Sequence, residues 1–192
     1  MRAGLEDPVR DSQRIFRGVL EAMSRPGRIV SVAEAGAGLG PIHAAARAVC
    51  LALVDLETPL WLDEAARTPE VVELLRFHCG CPIVGEPGRA CFALVADPAR
   101  MPDLDAFDAG TAEYPDRSAT VIVQASGLAE GAGRRLTGPG IAEATWLAAE
   151  GLPPRFWDRV RGNRARFPRG IDLLLTSGPR LAALPRSTRV EG

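Results

Sequence analysis

His78-Cys79-Gly80-Cys81 places an imidazole and two thiols within four residues. These are the donor types that zinc prefers. A closed site needs four ligands, and the remaining donors of that kind are His43, Cys50 and Cys91, all distant in sequence. Cys50 and Cys91 lie in apolar runs, where cysteine behaves as a small hydrophobe. The expectation is therefore no metal. His78 as base for a Cys79 or Cys81 nucleophile is equally poorly served, because sequence neighbours seldom reach that geometry.

Anion contact is the second chemistry the side chains suggest. Arginine binds phosphate and carboxylate through a planar, bidentate fork. Arg76 and His78 close an apolar helix, where the macrodipole already accounts for cations. Between Arg155 and Arg169 six arginines occupy fifteen positions. Their ordinary use is a solvated helix face, and the alternative is a contact with another protein. Arg169 and Arg186 bracket the C-terminal strands, so Arg76, His78, Arg169 and Arg186 are the anion-contact candidates. Asp172 begins an apolar strand and requires a partner such as Arg186 or Arg169. It reads as structural. No Ser–His–Asp order and no H-E-x-x-H motif accompanies these residues, so no catalytic residue is assigned.

Composition narrows the classes. All 23 basic residues are arginine, against 24 acidic ones, for a net charge of −1. A chain without lysine forms no Schiff base with pyridoxal phosphate and has no Walker A lysine. Near-neutral charge and 5% aromatics give no footprint for nucleic acid. No apolar run approaches the roughly 20 residues that span a bilayer. No signal peptide is evident. The expectation is a cytoplasmic protein with cysteines held as thiols and no cofactor.

The elements that would position these residues read as one domain over 1–192. Ile15, Phe16, Val19, Leu20 and Met23 mark a helix over 10–24, stopped by Ser24-Arg25-Pro26-Gly27. Arg28–Val32 reads as a short strand. Gly36, Gly38 and Gly40 sit in a loop, with only a loose likeness to a phosphate loop. Pro41 is expected in the first turn of a helix carrying Ile42, Ala45, Ala46, Val49, Cys50 and Leu53. Thr68 and Pro69 open a helix that buries Val71, Val72, Leu74 and Leu75 and ends near His78. Thr58–Leu62, Cys91–Ala96, Ala119–Ala125, Arg134–Thr137, Ile171–Thr176 and Arg180–Leu184 read as strands. Pro153-Pro154 opens a helix that buries Phe156, Trp157 and Val160. Alternating strands and helices, some strands apolar on both faces, predict an α/β sandwich with a mixed sheet.

Segments along the whole chain resemble the PhnH family, the H subunit of the bacterial carbon–phosphorus lyase core complex. They are Phe16-Arg17 with Ala22–Gly27, Leu53–Leu62, Leu75–His78 with Pro82, Gly110-Thr111 with Pro115 and Ser118–Thr120, Leu136–Ile141, Phe167-Pro168 with Gly170–Leu173 and Leu175-Thr176, and Leu184–Thr188. The resemblance implies a three-layer α/β sandwich like the large domain of pyridoxal-phosphate transferases, without that cofactor. It implies a homodimer assembled with the G, I and J subunits. It also implies an accessory part, with G and I, in making ribose 1-methylphosphonate 5-triphosphate from ATP and methylphosphonate. The resemblance carries no catalytic residue, and the His78–Cys81 run goes beyond the family pattern. A free-standing enzyme or a nucleotide-binding module, using an arginine pocket on a phosphorylated metabolite, is the competing expectation.

Overall fold

A computed structural model describes residues 4–34 and 37–192. Gly36, part of the glycine-rich loop, lies outside the described residues. Helix α1 runs over Pro8–Ser24. The Asp7 carboxylate caps it, accepting from the Val9 and Arg10 amides, and Pro8 supplies the pre-set first turn. Ile15, Val19 and Ala22 form its buried face. Helix α2 (Ala44–Leu53) buries Ala45, Ala46, Val49 and Cys50. Helix α3 (Pro69–Cys79) is capped by the Thr68 hydroxyl and ends at Gly80, whose φ of +66° is the left-handed cap that glycine adopts without strain. Helix α4 spans Pro154–Ala165.

Pro41 departs from expectation. The chain turns back on itself between Leu39 and Ile42, each amide bonding the other's carbonyl at 2.9 Å. Pro41 therefore sits in a turn, and α2 starts three residues later.

Strands β1 (Ile29–Ser31), β2 (Leu60–Leu62), β3 (Ile83–Val84), β4 (Phe92–Val95), β5 (Thr120–Gln124), β8 (Asp172–Ser177) and β9 (Arg180–Leu184) form one sheet. Its order is β1-β9-β8-β5-β4-β2-β3. The run from β8 to β3 is parallel, and β9 and β1 add antiparallel at one edge. A second, antiparallel sheet joins β10 (Arg189–Glu191), β6 (Gly127–Thr137) and β7 (Thr145–Glu150).

The large sheet is covered on both faces, as its two-sided apolar strands require. Leu60, Leu94, Ile122, Leu174 and Leu181 pack against α1, α2 and α3. Ala93, Val121, Val123, Leu173 and Leu175 pack the other way, against Phe156, Trp157 and Val160 of α4 and Leu128, Leu136 and Leu147 of the small sheet. The α/β class and the mixed sheet hold. The third layer is a helix combined with a small sheet.

Candidate functional site

The amino ends of β5 and β8 and the end of antiparallel β9 lie at one rim of the large sheet. A cleft of about 490 Å³ opens there, lined by Met23, Ser24, Pro115, Asp116, Pro139, Gly140, Phe167, Pro168, Asp172, Pro185, Arg186 and Ser187. The end of α1, the turn before β5, the β6–β7 loop, the segment before β8 and the turn after β9 all meet at it. Gly140 makes the closest approach. With φ at +84°, a Cβ there would stand 2.1 Å from the Ser24 carbonyl oxygen. Only glycine lets the β6–β7 loop reach α1.

Asp172 and Arg186 form the polar centre of the cleft. The Arg186 Nη2 and Nε atoms donate to the two Asp172 oxygens at 2.6 and 3.2 Å, and the Arg186 amide adds a bond of 2.8 Å. Arg186 Nη1 also donates to the Pro115 carbonyl. Both side chains are about 15% exposed. The guanidinium is thus neutralised by its own chain, and the fork ties β8, β9 and the turn before β5 together. Around this ion pair the wall is apolar: Phe167 is 51% exposed, and Met23 and four prolines complete it. A neutralised, proline-lined cleft suits contact with another surface better than capture of a free anion.

The other anion-contact candidates stand elsewhere. Arg169 is exposed before β8 and is not among the cleft residues. Arg76 and His78 are exposed on the last turn of α3, the crossover from β2 to β3. His78 packs against the segment around Gly4. The rest of the arginine cluster serves the chain itself. Arg155 donates to the Ala99 carbonyl at 2.7 Å, and Arg159 to the Met101 carbonyl and to Asp103. Arg161 pairs with Asp158, Arg166 with Asp105, and Arg164 donates to the Ser187 carbonyl. Sequence reasoning read these as a solvated face or a protein contact. They clamp the 97–105 loop and the C-terminal segment onto α4.

The cysteines divide. Cys50 and Cys81 are buried, Cys79 is partly buried and Cys91 is exposed. The exposure of Cys91 corrects its reading as a buried hydrophobe. It lies just before β4, at the strand end instead of inside it. Burial pushes the Cys50 thiol up to about 12, with neighbouring Cys81 adding to the shift. The neighbouring Cys79 and Cys81 side chains act on each other in opposite senses, raising the Cys79 thiol and lowering that of Cys81. Cys79 also contacts the Cys50 carbonyl at 3.6 Å. Among the described residues no group of three His, Cys, Asp or Glu side chains is placed to hold a metal ion.

These features define an α/β protein with a structurally braced cleft at the amino ends of its strands. A family model described as "Bacterial phosphonate metabolism protein (PhnH)" matches residues 3–191, and the chain belongs to that family. It is 39% identical over 185 residues to the alpha-D-ribose 1-methylphosphonate 5-triphosphate synthase subunit PhnH of Rhizobium meliloti (strain 1021), covering 96% of this chain and 92% of that one. It is 32% identical over 179 residues to the protein named "Putative C-P lyase subunit protein HtxG" of Stutzerimonas stutzeri, covering 93% and 85%. The cleft draws residues from five of the segments that carry the family resemblance, among them Ser24, Pro115, Pro139, Phe167 and Arg186.

Proposed function

We propose that this protein is an accessory subunit of a carbon–phosphorus lyase complex in organic phosphonate catabolism. It acts with the G and I subunits in forming ribose 1-methylphosphonate 5-triphosphate from ATP and methylphosphonate, and it assembles in the cytoplasm as a homodimer that also meets the J subunit. The observation that carries this reading is likeness to a named synthase subunit over nearly the full length of both chains. Its fold shares the plan of the pyridoxal-phosphate transferase large domain, while a chain without lysine has no residue for that cofactor's internal Schiff base.

The amino-end cleft is the surface that meets a partner subunit. Its arginine is neutralised within the chain, and its exposed wall of Phe167, Met23 and prolines is of the kind that interfaces bury. Arg76 and Arg169, exposed elsewhere, supply rim contacts to a neighbour or to a phosphate. A free-standing phosphate enzyme would need its cations gathered. Of the four candidate residues, Arg186 lines this cleft, and it is bound to Asp172.

The test is adenine release from ATP and methylphosphonate. The isolated protein is expected to release none, and addition of the other subunits to restore it. Turnover by the isolated chain at the rate of the complex would refute the accessory role.

A further inference from the structure

Helix α1 carries an apolar face that the fold leaves uncovered. Its buried face is Ile15, Val19 and Ala22. Phe16, Leu20 and Met23 each follow one of these residues, about 100° further round the helix. With Val9 they fall at i, i+7, i+11 and i+14, a single stripe along α1. Val9, Phe16 and Leu20 are 80%, 47% and 50% exposed. Large apolar side chains gathered on one exposed face mark a contact surface.

Two features say what covers the stripe. The first is charge. Arg10, Arg14 and Arg25 lie 3.6, 3.3 and 3.9 Å from carboxylate oxygens of Asp7, Asp11 and Glu21. Glu21 also holds Arg28 at 3.0 Å. Arg17, exposed between Phe16 and Leu20, has no partner among the described residues. A cation beside an apolar contact needs a carboxylate from the other side once water is excluded. The second feature is continuity. Met23 and Ser24, in the last turn of α1, line the amino-end cleft, so the stripe runs into the cleft's apolar wall.

We propose that the outer face of α1 docks a helix of a partner subunit, one with an apolar ridge and a carboxylate placed to meet Arg17. The inference rests on the accessory-subunit reading and extends its contact surface beyond the cleft. The stripe is about 21 Å long, four turns of helix, which a second helix can follow by ridge-into-groove packing. A second copy of this chain is a poorer occupant. Its α1 would bring another Arg17 and carboxylates that already hold Arg10, Arg14, Arg25 and Arg28.

Capture of the G, I and J subunits by the tagged, co-expressed chain tests this. Phe16→Ser combined with Leu20→Ser is expected to lower capture by about tenfold or more, the effect of removing two apolar anchors. Arg17→Glu is expected to lower it by about tenfold, and Arg17→Lys, which keeps the charge, to retain most of it. These side chains are exposed, so each variant should melt within a few degrees of the parent. Arg17→Lys also introduces the one lysine of the chain. Carbodiimide treatment of the captured complex should join that amine to an Asp or Glu of a partner subunit, which peptide mapping identifies. A cross-link to a second copy of this chain would overturn the proposal. So would binding of the isolated chain to phosphatidylglycerol vesicles that the double change abolishes. Capture unchanged by the double change and by Arg17→Glu, yet lost in Phe167→Asp, would remove the α1 contact and leave the cleft contact standing. Capture that fails with the intact chain would refute the accessory reading itself, and the α1 contact with it.

Discussion

The two rims of the large sheet are built differently. At the carboxyl ends, side chains close onto main chain. Buried Asp63, just past β2, accepts from the Ala66, Ala96 and Asp97 amides at 2.8, 3.0 and 2.8 Å. Gln124, the last residue of β5, accepts from the His43 amide at 2.5 Å and donates to the Pro41 carbonyl at 2.9 Å. At the amino ends, an ion pair braces a cleft of about 490 Å³; the cleft at the carboxyl rim, lined by Trp61, Asp63 and Asp97 among others, is smaller, about 360 Å³. Open parallel sheets usually bind ligands beyond their carboxyl ends. Here Asp63 and Gln124 stitch loops at that rim, and five of the seven segments of family resemblance supply residues to the cleft at the opposite one. The contrast is between a rim stitched by side chain to main chain and one tied by an ion pair, beside which the proposed partner contact lies.

Substitutions at the two rims should sharpen that contrast. The largest effect is expected from Asp63→Ala, which leaves three amides without their acceptor. A loss of about 4 kcal/mol in urea unfolding follows from the cost of unmet buried donors. Whatever fraction stays folded should still join its partners. Arg186→Ala comes next, at about 3 kcal/mol, because it strands a mostly buried carboxylate. Asp172→Ala combined with Arg186→Ala should cost less than the sum of the single changes, a coupling that a double-mutant cycle measures. Gln124→Ala should cost about 2 kcal/mol through the two bonds it removes. The smallest effect is Thr68→Ala, about 1 kcal/mol, the usual worth of a helix cap. A stability loss at Arg186 no larger than at Thr68 would remove the brace from the account.

Much of the α/β frame was legible because its elements bury continuous apolar faces. The stripe of α2, the Thr68-Pro69 start of α3 and the runs of β4, β5, β8 and β9 each announce themselves. Strands β6, β7 and β10 did not, apart from the Arg134–Thr137 end of β6. Each buries only one or two side chains, such as Leu128 and Leu136 of β6 or Leu147 of β7. Gly131 and Gly133 further break the alternation of β6, where the pairing with β7 shifts register. Asp172 with Arg186 was one of two pairings open from the sequence. The cleft around them was not readable, since its walls come from segments as distant as Met23 and Ser187. The partners of the α4 arginines were unreadable for a related reason: they are mostly main-chain carbonyls, which leave no mark in a sequence.

Co-purification tests the central claim most directly. The chain, tagged and co-expressed with the G, I and J subunits, is predicted to carry them through affinity capture. Phe167→Asp, a change at an exposed cleft residue, is predicted to abolish capture while leaving the melting temperature within a few degrees of the parent. Capture that is unchanged by Phe167→Asp, or that never occurs with the intact chain, would contradict the assignment of recognition to the amino-end cleft.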